Sequence, residues 1–594
     1  MASTLLSRRD LDFLLYEWLD IAALTSRARF SEHSRQTFDA VLDLSAEIAT
    51  KQFATHNKKS DANEPVMRPD GTVELIDEIG HALQVFAEAG LIAAQFDEKL
   101  GGLQLPVTLA RASMAWFQAA NAATSSYVFL SVANANLLVE FGTAEQIDQW
   151  VRPMIEGRYF GTMCLSETSA GSSLADITTK AVPQPDGSYR VTGTKMWISG
   201  GDHELADNII HLVLAKIPGG PAGVKGISLI AVPKFLPDDT RNDVALVGLN
   251  HKMGNRGTTN TLLNFGDGSF PVGSTSGAVG YLIGEPHVGL SYMFHMMNEA
   301  RIGVGFLATA LGYTGYLKSL EYAKVRRQGR PLDVRDPTSE PAALIEHADV
   351  RRMLLAQKSY VEGALALGLY CAKLVDEQQT ATDEASASRA GLLLDVLTPV
   401  VKSWPSQWCL EANSLAIQVH GGYGYARDYD VEQHYRDNRL NPIHEGTHGI
   451  QGLDLLGRKV VIHDGAGLRA LLTSIESTVT QATALDDETK GYAQALDKVA
   501  ATLASTTAAL WAADDRAVTL ANSSVYLEAA GHIVIAWMWL EQWLAAAGKT
   551  GAFYAGKRQA TRYFFRYELP KVGPQLDLLA SLDRTTLDAE PEGL

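Results

Sequence analysis

Apolar positions recur at helical spacing over most of this chain. Near the N-terminus Leu11, Leu14, Leu15, Trp18 and Leu19 fall on one face of a helix. The same period predicts helices over 38–54, 76–89, 110–138 and 145–155. Between the first two, HNKKSDANEPVMRPDG is polar, carries two prolines and reads as a surface loop. The texture changes near Gly161. Short runs rich in Val, Ile and Leu follow, among them PDGSYRVTGTKMWISG, NIIHLVLAKI and GISLIAVPKF, bounded by turns such as Pro185-Asp186-Gly187 and Pro218-Gly219-Gly220. That pattern predicts an antiparallel sheet or small barrel. Helical spacing returns over 298–324, 345–374, 390–419 and 431–438, the third expected to kink or restart at Pro399 and Pro405. A further helical set, rich in Ala and Leu, covers 465–580.

The fold class expected is therefore mainly α with a central β domain. Its parts are an N-terminal helical extension (1–30), an N-terminal helical domain (31–159), a middle β domain (160–282), a C-terminal helical bundle (283–460) and an extra C-terminal helical domain (461–594). At 594 residues, 46% hydrophobic and 20% charged, the chain has the composition of a globular protein. Lys plus Arg total 51 against 68 Asp plus Glu, a formal net charge of -17. That balance argues against a nucleic-acid partner. Three cysteines, Cys164, Cys371 and Cys409, are too few for a disulfide framework and suggest a reducing, cytoplasmic setting. The N-terminal stretch lacks a signal-peptide pattern, and the longest apolar run, 533–540, is too short to span a bilayer. No integral membrane association is expected.

Three segments carry candidate chemistry. GTMCLSETSAGSSLADITTKAV holds a small-residue loop whose backbone N–H groups and hydroxyls could approach a phosphate or flavin edge. In GTKMWISG, Trp197 closes an alternating strand and by itself reads as a core tryptophan. In NPIHEGTHGIQGLDLLGRKV, Glu445 stands beside Gly446 and Thr447, and by itself reads as a solvated loop charge. The same stretch matches H-E-x-x-H, a zinc-hydrolase pattern through His444, Glu445 and His448. Pro442, Gly446 and Gly449 oppose the helix that this pattern needs, so no metal is expected.

Together the three segments resemble the acyl-CoA dehydrogenase family. CLSETSAGSS resembles its C-x-T-E-P-x-A-G-S-D loop, KMWIS its K-x-W-I-T strand, and QVHGGYGYARDYDVEQHYRDNRLNPIHEGT its Q-x-x-G-G-x-G…E-G-T segment. They occur in family order and spacing across 160–460. The length and the helices after 465 are similar to the extended members of that family.

The resemblance implies FAD, and α,β-dehydrogenation of a fatty acyl-CoA thioester to the trans-2-enoyl-CoA in β-oxidation. It makes Glu445 the base that takes the α proton while flavin N5 accepts the β hydride. The resemblance assigns Met163, Leu165, Ser166, Gly171, Ser172, Trp197, Ser199, Arg326, Gln328, Gln418, Gly421, Gly422, Thr447 and Gly449 to the cofactor. Gln418, Gly421 and Gly422 would reach it across a subunit interface, so a homodimer or homotetramer is implied. Ser172, Asn298, Arg301 and Gly446 match substrate positions, although Arg301 alone reads as an ordinary exposed helix arginine. An electron-transfer flavoprotein is the implied electron acceptor, and an acyl-CoA oxidase using O2 is the alternative on the same fold. His444 stands where many members have tyrosine, and a charged imidazole there would lower the Glu445 pKa.

Overall fold

A computed structural model describes residues 3–594. The chain forms two compact units. One holds the N-terminal residues through 38 together with 106–115 and 301–594, and the other holds 39–105 and 116–300.

Among the helices that precede the main strands are α1 (Arg35–Ile48), α2 (Asp77–Glu88), α3 (Val107–Ala120) and α4 (Ala122–Phe141). The single helix expected over 110–138 is broken at Asn121, which is extended (φ −160, ψ 95) and caps α4 by accepting from the Thr124 N–H at 3.0 Å. Helix α4 is long and apolar enough to cross a bilayer, which run length alone had missed. Most of it is buried, and its Asn134 donates to the Thr162 and Ile210 carbonyls at 3.2 and 2.9 Å. The polar stretch over 56–71 is not simply a loop. It contains a helix, Asn57–Ala62, and the hairpin β1 (Val66–Met67) with β2 (Val73–Glu74), turned at Gly71 with φ +86.

The main sheet has eight strands: β3 (Tyr159–Cys164), β4 (Lys180–Pro183), β5 (Tyr189–Ser199), β6 (Asn208–Lys216), β7 (Ile227–Pro233), β8 (Val244–Leu249), β9 (Asn260–Phe265) and β10 (Ala278–Leu282). Its order is β10-β7-β6-β4-β5-β9-β8, with β10 also pairing β5. Most ladders are antiparallel, as expected, but β3 runs parallel to β6. A helix, not a hairpin turn, leads into β3, so no turn imposes its direction. β6 and β7 bury both faces: Leu212, Leu214 and Leu229 enter one apolar cluster, Val213, Ile230 and Val232 the other.

The long helices α5 (Gly289–Val325), α6 (Ala348–Thr380) and α7 (Glu384–His420) lead to the short α8 (Val431–Asn438) and α9 (His448–Asp454). Rather than restarting, α7 continues as one helix through Pro399 and Pro405. A proline at 405 removes the N–H that would bind the Val401 carbonyl. Gly305 of α5 lies against that oxygen, where a Cβ would approach to 2.1 Å. The two helices thus pack closely where the ladder is interrupted.

The extra helices include α10 (Ile462–Thr483), kinked by left-handed His463, Asp464 and Gly465, then α11 (Asp487–Ala512), α12 (Ser523–Ala545), α13 (Ala552–Tyr563) and α14 (Val572–Ala580), with a short helix Arg516–Ala521 before α12. The tryptophans of α12 are packing residues with satisfied indoles. Trp537 donates to Thr478 Oγ1 at 2.8 Å, Trp539 to the Ser359 carbonyl at 3.0 Å and Trp543 to Thr489 Oγ1 at 2.8 Å. The N-terminal extension also belongs to this packing: Leu11, Leu14 and Leu15 are buried, and Asp10 pairs with Lys557 of α13.

Candidate active site

The turn between α8 and α9 is anchored by asparagines. Asn438 donates to Asn413 Oδ1 of α7 at 2.7 Å and to the Ala308 carbonyl of α5 at 3.1 Å. Asn441 donates to Asn438 Oδ1 at 2.9 Å, and its own Oδ1 meets His444 Nε2 at 3.0 Å. Above this ladder the backbone turns sharply. Glu445 has φ +52, uncommon for a residue with a Cβ, and Gly446 has φ +90. A Cβ on Gly446 would lie 2.4 Å from Gln451 Nε2. That amide donates to the Glu445 carbonyl at 3.0 Å. Thr447 then caps α9, its hydroxyl accepting from the Ile450 N–H at 3.4 Å. Lys402 of α7 donates to the Gly446 carbonyl at 2.6 Å. The Glu445 N–H donates to no acceptor among the described residues.

Glu445 is half-buried, not the solvated charge a lone loop glutamate suggests. Burial pushes its pKa up, while the Lys402 and Arg301 charges oppose the shift. Arg301 is 3% exposed and pairs with Asp454 of α9 at 2.8 Å, so it is no ordinary surface arginine. His444 does not carry the charge considered for it. Burial, helped by the Lys402 charge, drives its pKa down to about 3, so it stays neutral beside Glu445. His444 to Thr447 is not helical, so the H-E-x-x-H residues do not share one helix face. His444 Nε2 is engaged by Asn441, and no cluster of metal-ligating residues occurs among the described residues.

The other unit holds the residues assigned to the flavin ring. Trp197 is not a core residue: it is 59% exposed. Its φ is +65, and the β5–β9 register shifts between Lys195 and Ile198, which turns the indole out of the ladder. The Met196 N–H donates to the Ser166 carbonyl at 3.0 Å, holding the small-residue loop beside this strand. In that loop Met163, Leu165 and Ser166 are half-buried, while Gly171 and Ser172 are exposed, with open space where a Gly171 Cβ would stand. Ser199 is half-buried, and its hydroxyl accepts from Asn260 at 3.1 Å. An exposed aromatic face beside an open loop of small residues fits a flat, polar-edged ring such as an isoalloxazine.

Beneath the loop lies a pair that motif reading had not singled out. Glu167 accepts from the N–H and hydroxyl of both Thr178 and Thr179, at 2.6 to 3.0 Å, and from Lys195 at 3.1 Å. Lys195 also donates to the Leu165 carbonyl at 3.0 Å. Asn298 is half-buried in α5. Arg326, Gln328, Gln418, Gly421 and Gly422 are all exposed. The Arg326 guanidinium lies 5.6 Å from the Tyr423 ring, so the end of α5 and the Gly-rich turn after α7 share one surface. Thr447 and Gly449 sit at the start of α9, half-buried.

Four family profiles match in succession. They are the acyl-CoA dehydrogenase N-terminal domain (residues 39–158), middle domain (162–267) and C-terminal domain (287–461), and an acetyl-CoA dehydrogenase C-terminal-like domain (471–590). The broad-specificity linear acyl-CoA dehydrogenase FadE5 of Mycobacterium tuberculosis is 33% identical, covering 98% of each chain. The 3-methylmercaptopropionyl-CoA dehydrogenase of Ruegeria pomeroyi is 34% identical over 78% of this chain and 77% of its own. In fold, the chain resembles Caenorhabditis elegans ACDH-11, solved in complex with C11-CoA, with a TM-score of 0.75 and 18% identity over 94% of this chain and 90% of that one. Relatives that match from end to end, and the successive profiles, lead to one assignment: the chain belongs to the acyl-CoA dehydrogenase family.

Proposed function

We propose that this protein is an FAD-dependent dehydrogenase of linear fatty acyl-CoA thioesters, forming the trans-2-enoyl-CoA, with Glu445 as the base. The observation that carries this reading is the Glu445 turn. A carboxyl with a raised pKa sits in a left-handed backbone, next to a glycine, with a main-chain N–H that no other group claims. The α proton of a thioester is weakly acidic, so its removal needs a positioned carboxylate and donors for the developing enolate oxygen. Glu445 takes the α proton onto its carboxylate as the α C–H bond breaks. Its N–H is available to the thioester oxygen. FAD, when bound, supplies the acceptor for the β hydrogen and its electron pair. Trp197, Ser166, Gly171, Ser172 and Ser199 would hold its ring, and Arg326, Gln328, Gln418, Gly421 and Gly422 the remainder, across a homo-oligomer interface. Similarity to a broad-specificity linear acyl-CoA dehydrogenase supports straight-chain substrates.

We take an electron-transfer flavoprotein to be the electron acceptor and fatty-acid β-oxidation to be the setting. Turnover of straight-chain acyl-CoA thioesters by the FAD-loaded protein, with that flavoprotein or with O2 alone, tests the proposal. Turnover dependent on the flavoprotein is expected. Equal turnover in O2 alone, with peroxide formed, would make the protein an oxidase. Absence of bound flavin and of any turnover would end the proposal.

A further inference from the structure

Helix α7 carries one charge inside an otherwise apolar and hydroxylic stretch. Lys402 lies between Val400, Val401 and Ser403, Trp404, and its side chain is fully buried. Its ammonium donates to the Asn441 carbonyl at 2.9 Å and to the Gly446 carbonyl at 2.6 Å. These two carbonyls bracket Glu445. No carboxylate lies within ion-pair distance of Lys402 among the described residues. A buried ammonium satisfied only by main-chain carbonyls is an expensive way to hold a turn.

The surrounding charges give it a different use. From α5 it is faced by Arg301, whose partner is Asp454 of α9. From the turn it is faced by Glu445 and His444, and from α9 by His448, near Arg439. Burial drives both imidazoles down, His444 to about 3 and His448 to about 4, so neither is charged near neutrality. The field at Glu445 is therefore set by Lys402 and Arg301. Of these, Lys402 also grips the backbone that carries the base.

We infer that Lys402 is the positioning residue of Glu445: by bridging the Asn441 and Gly446 carbonyls it holds residue 445 in its left-handed conformation and favours the ionised carboxylate. The inference rests on the reading of Glu445 as the base. Burial, opposed by Glu445 and assisted by Arg301, brings the Lys402 pKa down to about 7. Loss of its proton would remove the charge and weaken the clamp, since the neutral amine keeps two N–H donors for the two carbonyls but without charge assistance.

The test uses the full-length, FAD-loaded enzyme with octanoyl-CoA. Lys402→Met and Lys402→Arg are compared with wild type for flavin content, kcat, KM and the pH profile of kcat/KM. Lys402→Met is expected to retain flavin, to lose kcat by at least about tenfold with little change in KM, and to move the acidic limb to higher pH by about one unit. Lys402→Arg keeps its charge, and its acidic limb stays near that of wild type. Wild-type kcat falls above neutrality as Lys402 deprotonates, and Lys402→Arg extends the plateau upward, a readout that survives if the methionine variant fails to fold. An acidic limb unmoved in Lys402→Met overturns the inference, as does an alkaline limb unmoved in Lys402→Arg. Glu445→Gln separates the two claims: if it retains turnover the base assignment itself is wrong, whereas if it is dead and the Lys402 variants leave the profile unmoved, only this inference fails.

Discussion

Glu167 and Lys195 form a buried ion pair, 3.1 Å apart, directly beneath the loop assigned to the flavin. Burial alone would raise the Glu167 pKa. The Thr179 hydroxyl, the Lys195 charge and the Thr178 and Thr179 N–H groups outweigh it and hold the pKa at about 2. Because the folded-state value is depressed, this stabilisation is complete above about 4.5 and drains away as pH falls toward about 2. Glu167→Gln leaves Lys195 buried without its partner, an expected loss of about 3–5 kcal/mol in unfolding free energy. The variant should also release flavin more readily, since Ser166 is adjacent. Denaturant unfolding between pH 2 and 7 and flavin retention on gel filtration check both. A variant as stable as wild type at neutral pH would contradict this account of the loop.

Gly446 is needed for its backbone. Gly446→Ala places a Cβ at φ +90 and 2.4 Å from Gln451 Nε2, so the amide must leave the Glu445 carbonyl. Strain of about 1–3 kcal/mol at the base predicts a kcat loss of roughly 5- to 150-fold with flavin retained. Steady-state kinetics alongside the flavin absorbance spectrum measure it. Unchanged kcat would mean that the turn relaxes without moving the carboxyl.

The N-terminal extension is expected to act as a structural clasp. Lys557 pairs with Asp10 of the extension and, at 2.9 Å, with Glu362 of α6, all three buried. Lys557→Met leaves Asp10 buried without its cation, while Glu362 keeps Lys358, and should lower stability by about 3–5 kcal/mol. Limited proteolysis should then cut within residues 8–18 before the remainder of the chain. Equal protection of that segment in wild type and variant would show that the ion pair does not hold it.

The sequence made the helices legible because their apolar stripes are long and regular. Glu445 and Trp197 stood out because three motifs recur in order, and the structure shows one in a left-handed turn and the other exposed. The features that escaped depend on contacts distant in sequence. The parallel pairing of β3 with β6 follows from non-local register. The close approach of α5 to α7 one turn before Pro405 involves Gly305, a hundred residues away. The burial of Arg301 depends on Asp454. Lys402 did leave a trace, a lone cation in the run TPVVKSWPSQW with no acid within one helical turn. Only the structure shows that its partners are the carbonyls of Asn441 and Gly446 on either side of Glu445.

Transfer of the α proton to Glu445 is the central claim, and an anaerobic single turnover measures it most directly. Glu445→Gln, loaded with FAD and mixed with octanoyl-CoA, should bind the thioester yet leave the flavin absorbance unbleached, while wild type bleaches within the mixing experiment. In deuterated water wild type should exchange the α hydrogen of a non-reducing acyl-CoA analogue, and the variant should not. Bleaching by Glu445→Gln at a rate near that of wild type would contradict the account.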